Sequence, residues 1–464
     1  MVVEKRKPHE KALTKDTIST LRGGIELETK LVKIARLAKD RPKEQFTSLM
    51  HLLDEKALYM CHQELRGNKA VGVDEITKAK YEENLEDNLK NLHQSLCRMA
   101  YKPKPVRRVY IPKAGSNKLR PLGIPSYEDK IVQLAVSKIL SSIFEMDFMK
   151  FSFGFRPGVG CHDALRSLNT IIMTKKTNWV VDADISGFFD HVDHGWMMKC
   201  LEVRIKDRKL LRLIQRMLKS GIMEEGHLRQ TEQGTPQGGI ISPVLANVYL
   251  HYILDLWFEK RMKRQYKGQS HMVRYADDFV CCFQSEGEAR NFYLQLKDRL
   301  GKFNLKIAPE KSKIIEFGQF AARNKRNRGE GKPETLDFLG FTHYCGESRN
   351  GRFRVKRLTS RKKFQSALNR MKLWIKSNRT MPIQLLLDKL KSKLLGHYRY
   401  YGITDNGPML ARYWYVTMRL LFKWLNRRSQ RNSYTWENFL LLMKTNPLPT
   451  PRIYSSIFGK TVLV

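Results

Sequence analysis

In a chain carrying 85 Lys and Arg against 46 Asp and Glu, acids that stand together need a physical reason. Asp277 and Asp278 are adjacent in Arg274-Tyr275-Ala276-Asp277-Asp278, and Asp182 and Asp184 close the apolar run Val180–Ile185, just ahead of Phe188-Phe189-Asp190. Neighbouring carboxylates repel, and partial burial raises that cost unless they take up a proton or a cation. Hard oxygen ligands of this kind suit Mg²⁺, which accepts one or two carboxylates together with phosphates and water. Two such ions activate an attacking hydroxyl and stabilise the leaving oxygen of an in-line phosphoryl displacement. Taken alone, Asp277-Asp278 also fits a solvated turn, since Asp is a common turn former.

The surrounding sequence places these acids on strands. Trp179–Ile185 is short and β-branched, and the β-rich runs Val273–Tyr275 and Phe279–Phe283 flank Ala276-Asp277-Asp278, so a hairpin is expected there. Val106–Ile111, a turn at 112–117 and Lys118–Pro125 read as a basic hairpin. Helical periodicity marks the first 60 residues, Asp129–Phe148, Leu385–Tyr401 and Met409–Leu425. Gln319–Pro333 is polar, basic and Gly-containing, and is expected to be a flexible loop. The fold class is therefore α+β, with sheets in the middle of the chain and helices at its ends.

A length of 464 residues allows two to four domains, and 42% hydrophobic content is enough for sizeable cores. The net charge of +39 points to a polyanionic partner. Apolar runs such as Ile240–Tyr249 fall short of a membrane span. None of the seven cysteines forms C-x-x-C, leaving no visible ligand set for an HNH-type zinc nuclease. Met1–Asp16 lacks the apolar core of a secretory signal, and a cytoplasmic protein is expected. Cys281-Cys282 reads as strand packing, and His191 and His194 as surface or loop residues. From residue 346 onward there are 25 Lys and Arg against four acids, more than half of the net charge. The expected division is 1–60, a helical extension; 61–345, the sheet-bearing body; and 346–464, a basic helical domain. Interleaved basic and aromatic residues in this last part suit a structured RNA, although Tyr413, Trp414, Leu420, Leu421 and Trp424 at helical spacing fit a bundle core better than a base-stacking platform.

Six blocks, in order, resemble the reverse transcriptases of group II introns. They are Ile111-Pro112-Lys113 with Arg120–Pro125; Phe153–Gly158; Asp184-Ile185 with Phe188-Phe189-Asp190; Thr235–Gly239 with Ser242-Pro243, Leu245 and Asn247; Tyr275–Asp278; and Phe338–Phe341. Gly396–Gly402 and Lys423–Arg428 with Trp436 resemble the thumb and maturase part of the same proteins. One departure is Glu75, where family members commonly carry Gly after the Asp of Val73-Asp74.

The resemblance implies a right-hand polymerase of fingers and palm followed by a helical thumb/maturase domain. It implies Asp184, Asp277 and Asp278 as catalytic, metal-binding carboxylates for two Mg²⁺ ions, with Mn²⁺ as a substitute. Lys113, Arg120, Phe189, Gln237 and Lys311 would contact the dNTP: Lys113 and Arg120 at the triphosphate, Gln237 at the nascent base pair, Phe189 against a ribose 2′-OH, and Lys311 as a general acid for pyrophosphate. Packing alone is an equal explanation for Phe189. Asp182 is left out of the triad. RNA contacts would come from Arg361, Lys362, Lys363, Arg399, Arg412, Lys423, Arg427 and Arg428. The partners implied are structured intron RNA, an RNA template, a DNA primer or target and dNTPs, with no membrane and an undefined oligomeric state. The expected function is RNA-directed DNA synthesis together with assistance to intron splicing and mobility. A host-adopted relative in repair or phage defence, an RNA-binding splicing cofactor without polymerase activity, and an acid-triad nuclease stand as alternatives.

Overall fold

The computed structural model describes residues 15–112, 119–224, 226–229, 233–235, 238–428 and 434–459, with side chains from Leu27 onward. Its centre is an antiparallel sheet of β3 (Trp179–Asp184), β6 (Ser270–Tyr275), β7 (Asp278–Phe283) and β8 (Lys313–Glu316) in the order β6-β7-β3-β8. Both faces of this sheet are covered, so its strands are almost continuously apolar instead of alternating. Val181, Ala183, Phe279, Cys281 and Phe283 enter the main core, beside helices 242–250 and 286–301. Val180, Val273, Val280 and Cys282 enter a second core with the helix Cys161–Thr174. Successive side chains on a strand alternate faces, so Asp182 and Asp184 on β3 and Asp278 on β7 share the face of Val180 and Val280, at its open end.

Before the palm lies a second sheet of β1 (Val106–Pro112), β2 (Leu119–Ile124), β4 (Ile222–Glu224) and β5 (His227–Arg229), ordered β2-β1-β4-β5. The β1–β2 hairpin runs in register from Arg107 opposite Ile124 to Pro112 opposite Leu119. Helix Tyr127–Phe144 follows; Ser126 caps it, and its apolar residues are buried nearly all round because it threads the middle of the main core. The amino-terminal helices Lys15–Asp40 and Glu55–Glu64 pack on the same core through Ala38, Leu58 and Cys61. The sequence boundary at 60/61 thus falls inside one helix. The boundary at 345/346 likewise falls inside β10 (Phe341–Glu347), which pairs with β9 (Leu336–Phe338) and β11 (Phe353–Thr359) and packs on the palm. A separate helical core begins at Arg361, built from helices Arg361–Asn378, Ile383–Tyr401, Gly407–Leu425 and Trp436–Thr445.

The stretch expected to be a flexible loop instead holds the helix Ala321–Asn327. Its charges are not free: Asn324 and Arg328 donate to the buried Glu316 at 2.7 and 2.5 Å, and Arg328 also pairs with Glu330. A partner acid eight to twelve residues away, as Glu316 is, is invisible to a compositional reading.

Candidate active site

The acidic corner is set by strand register. Asp184, the last residue of β3, lies directly opposite Asp278, the first of β7. Asp278 in turn faces Tyr275 of β6, so Ala276 and Asp277 form a two-residue hairpin turn. Such a turn favours left-handed backbone, and Ala276 adopts φ 58° without the help of a glycine.

Three contacts hold that turn. Phe153 N–H donates to Arg274 O and Arg274 N–H to Phe151 O, both at 2.8 Å, so the segment before Phe155 runs beside β6. This brings Gly154 so close that a Cβ there would collide with the Ala276 nitrogen, which is why this position is glycine. Beneath the turn, the fully buried Arg274 makes a two-pronged ion pair with Asp255 (2.7 and 2.5 Å) and donates to Ala276 O (3.0 Å) and Asn247 Oδ1 (3.1 Å). Asn247 closes the circuit by donating to Gly154 O at 2.7 Å. The helix that starts at Ser242 is thereby wired to the backbone presenting Asp277. Sequence reasoning quoted Arg274 and Asn247 as parts of motifs and gave neither a task; Asp255 carried no local signal, since its partner is 19 residues away.

The carboxylates act on one another electrically. Burial raises Asp278 to about 7, and Asp182, Asp277 and Asp184 add like-charge repulsion, with Lys363 opposing them. Burial also raises Asp182 to about 7, against the pull of Lys313 and with Asp184 and Asp337 adding repulsion. Asp277 is raised too, first by burial and then by Asp184, while Arg120 and Arg274 pull it down. Asp182, left out of the expected triad, therefore belongs to the same acidic face: two residues from Asp184 on a strand is the same side. Asp184 is bound by Lys311, whose Nζ lies 2.5 Å from its Oδ2. Among the described residues no three Asp, Glu, His or Cys side chains converge at ligand distance. The donor set nonetheless fits a hard divalent ion, which takes one or two carboxylates plus phosphate and water, and a cation relieves the repulsion that otherwise pushes these acids toward protonation.

The corner opens into a cleft of about 670 Å³. Arg120 from β2 faces it across from Asp277 and Lys311, and Phe189 forms part of its wall. The two adjacent phenylalanines divide the work: Phe188 is buried in the main core, whereas Phe189 is only half-buried and packs edge-on against it. The Phe189 carbonyl accepts from Thr235 N–H at 2.7 Å, and Gly238 approaches Gly123 of β2 closely enough that a Cβ would sit 2.8 Å from the Gly123 oxygen. Thr235 thus ties to the palm and Gly238 to the fingers. Lys113 and Gln237 lie outside the described residues. His194, expected at the surface, is buried with its ring nitrogen 2.7 Å from Gly234 O, and so supports this same segment; His191 is exposed. Cys281 and Cys282 are fully buried on opposite faces of β7, as packing requires.

In the helical domain, Arg361, Lys362, Lys363, Arg399, Arg412, Lys423 and Arg427 are exposed. Arg428, half-buried, donates to Met381 O at 2.8 Å, tying the end of one helix to the loop between two others, and is not a free cation. Tyr413, Leu421 and Trp424 are buried in the bundle core, whereas Tyr415 is 58% exposed.

A four-stranded palm sheet, a fingers hairpin that brings Arg120 to the cleft beside the acidic corner, and a helical bundle make up a right-hand polymerase fold. Residues 111–343 match the model of the reverse transcriptase (RNA-dependent DNA polymerase) family. The chain belongs to that family. It is 40% identical over 234 residues to the group II intron-encoded protein LtrA of Lactococcus lactis subsp. cremoris, an alignment covering 50% of this chain and 39% of that protein. Protein YkfC of Escherichia coli K12 is 34% identical over 302 residues, 57% of this chain and 79% of YkfC. The mitochondrial nuclear intron maturase 1 of Arabidopsis thaliana is 38% identical over 100 residues, 20% of this chain and 13% of that protein. The chain thus spans less than half the length of the group II intron relative it matches. Among the described residues no helix is long and apolar enough to cross a membrane.

Proposed function

We propose that this chain is a group II intron-type, RNA-directed DNA polymerase that also binds intron RNA and assists its splicing and mobility. The observation that carries the polymerase reading is the direct pairing of Asp184 with Asp278, beside Asp277, at the mouth of a cleft that also holds Arg120 and Lys311. Asp184, Asp277 and Asp278 would hold two Mg²⁺ ions, with Mn²⁺ as a substitute, supplying Lewis-acid activation of a primer 3′-OH and charge stabilisation of the departing pyrophosphate. Arg120 binds triphosphate oxygens, assisted by Lys113. Lys311, whose ammonium sits beside Asp184, would deliver a proton to the leaving phosphate oxygen. Phe189, in the cleft wall, would exclude a ribose 2′-OH, and Gln237 would contact the nascent base pair. The exposed cations of the helical domain, from Arg361 to Arg427, take intron RNA phosphates, with Tyr415 offering a face for an unpaired base.

Primer extension on an RNA template with dNTPs and Mg²⁺ tests this, wild type beside Asp277→Ala/Asp278→Ala. Wild type extends and the double variant does not, while the variant keeps its RNA affinity. No extension by either protein, with tight RNA binding retained, replaces this reading with that of a splicing cofactor. Loss of RNA binding in the double variant overturns the separation of the two activities.

A further inference from the structure

A cationic concavity lies on the body of the molecule, apart from the catalytic cleft. A second cleft of about 380 Å³ lies where the chain enters the fingers sheet twice, and Lys102, Arg212, Gln215, Arg216 and Lys219 line it. It shares no residue with the catalytic cleft. Val106 of β1 pairs with Ile222 of β4 just beyond it, whereas the catalytic cleft touches the Leu119–Arg120 end of the same hairpin. At ~3.3 Å per residue, the two clefts sit roughly 20 Å apart along β1.

The construction of this face is one-signed. Helix Arg208–Leu218 buries Leu210, Leu211, Leu213, Ile214, Met217 and Leu218, and exposes Arg208, Lys209, Arg212 and Gln215. The only acid from 203 to 223 is Asp207, and it is already used: its carboxylate accepts from Leu49, Met50, Lys209 and Leu210 N–H groups. Arg216 is fixed by the carbonyls of Met99 and Tyr101 at 2.7 and 2.9 Å, giving the cleft a rigid floor. Among the described residues, the side chains of Lys102, Arg212 and Lys219 have no carboxylate within ion-pair distance. Like charges set one helical turn apart repel unless a polyanion spans them.

We propose that this face is a second nucleic-acid surface, one that grips the phosphate backbone of double-helical RNA outside the polymerase cleft. Duplex, not single strand, follows from composition. No aromatic residue occurs from 203 to 223, so the face offers charge and no stacking platform, and single-strand binding relies on such platforms. Recognition is accordingly independent of sequence. The proposal rests on the polymerase reading only in taking nucleic acid as the polyanion.

The test compares wild type, the triple variant Lys102→Gln/Arg212→Gln/Lys219→Gln, and a charge-matched control on the exposed side of helix 286–301, Arg290→Gln/Lys297→Gln/Lys302→Gln. Binding of a blunt RNA duplex is measured across a salt series, and primer extension is measured on a short primer–template. The triple variant should weaken duplex binding and flatten the dependence of log K on log salt by about 2 to 3, one lost phosphate contact per residue, leaving primer extension unchanged. The control should behave as wild type. Equal duplex affinity and slope in the triple variant and wild type, or an equal drop in the control, overturns the proposal. So does loss of binding to phosphatidylglycerol vesicles with duplex binding intact, which assigns the face to a membrane. A chain that never extends a primer, yet loses duplex binding in the triple variant, sinks the polymerase reading and leaves this one standing.

Discussion

Replacing Asp182 with Asn probes the acidic corner without asking for polymerisation. Burial and neighbouring acids hold both Asp182 and Asp278 at about 7, against 3.8 for an ordinary aspartate. From about pH 4 to pH 7 the unfolded chain is ionised at these positions while the folded chain keeps its protons, so folding takes up protons and stability falls as pH rises through that window. Above about pH 7 both states are ionised and the loss levels off. At about 1.4 kcal/mol per pH unit, the penalty carried by Asp182 grows by about 3 kcal/mol between pH 5 and pH 7. Partial solvent exposure of the corner reduces this to about 1.5 kcal/mol. Asp182→Asn removes the titrating group and one of the charges facing Asp278. Urea unfolding in EDTA should therefore show the variant gaining stability over wild type, by about 1.5 kcal/mol more at pH 7 than at pH 5. Mg²⁺ should stabilise wild type more at pH 7 than at pH 5, because a cation there replaces the proton. A variant whose advantage is the same at both pH values refutes the claim that Asp182 faces the other acids.

Three further expectations concern the parts around that corner. Arg274→Met leaves Asp255 buried without its partner, so urea unfolding should show a loss of about 3–5 kcal/mol, and Arg274→Met/Asp255→Leu should recover much of it; a single variant as stable as wild type would contradict the buried pairing. Lys311→Ala should slow single-nucleotide incorporation about 100-fold, with primer–template affinity unchanged, when measured by rapid quench; an unaltered rate removes Lys311 from the proton path. Glu75 is exposed in a left-handed turn at φ 55°, so Glu75→Gly should raise the unfolding free energy by about 0.5–1 kcal/mol.

What the sequence disclosed and what it hid follow from how far apart the interacting groups lie. Hairpins, strand ends and the acids on them are local: Val273–Tyr275 and Phe279–Phe283 are β-rich on either side of a turn, and the register that sets Asp184 against Asp278 follows from where the strands stop. The same alternation was sufficient to put Asp182 on the acidic face, since two residues apart on a strand is one side; leaving it out of the triad allowed its side chain another direction, which a strand does not give it. The support of the turn was hidden for a different reason. Arg274 meets Asp255 from a neighbouring helix, Gly154 meets Ala276 from a segment more than 100 residues earlier, and His194 meets Gly234 across 40 residues. No periodicity encodes such pairs. The Gln319–Pro333 stretch failed likewise, because Glu316, outside it and twelve residues from Arg328, takes a charge that composition counts as solvated.

The two halves of the corner obey opposite electrostatic rules, and that division explains its rigidity. Behind the turn, Arg274 and Asp255 form a closed pair whose remaining donors end on Asn247 and Ala276, leaving the buried charges satisfied. In front of it, Asp182, Asp277 and Asp278 are held at a cost that only protons or cations remove. A corner frustrated in front stays put only if the backbone behind it cannot yield; a flexible turn would let Asp277 and Asp278 swing apart into water. The collision awaiting any Cβ at Gly154, and the left-handed Ala276 clamped between that glycine and the Arg274 guanidinium, supply this resistance. Strain in the backbone and repulsion among the acids are thus two parts of one arrangement, in which the rigid turn holds the carboxylates together against their own repulsion.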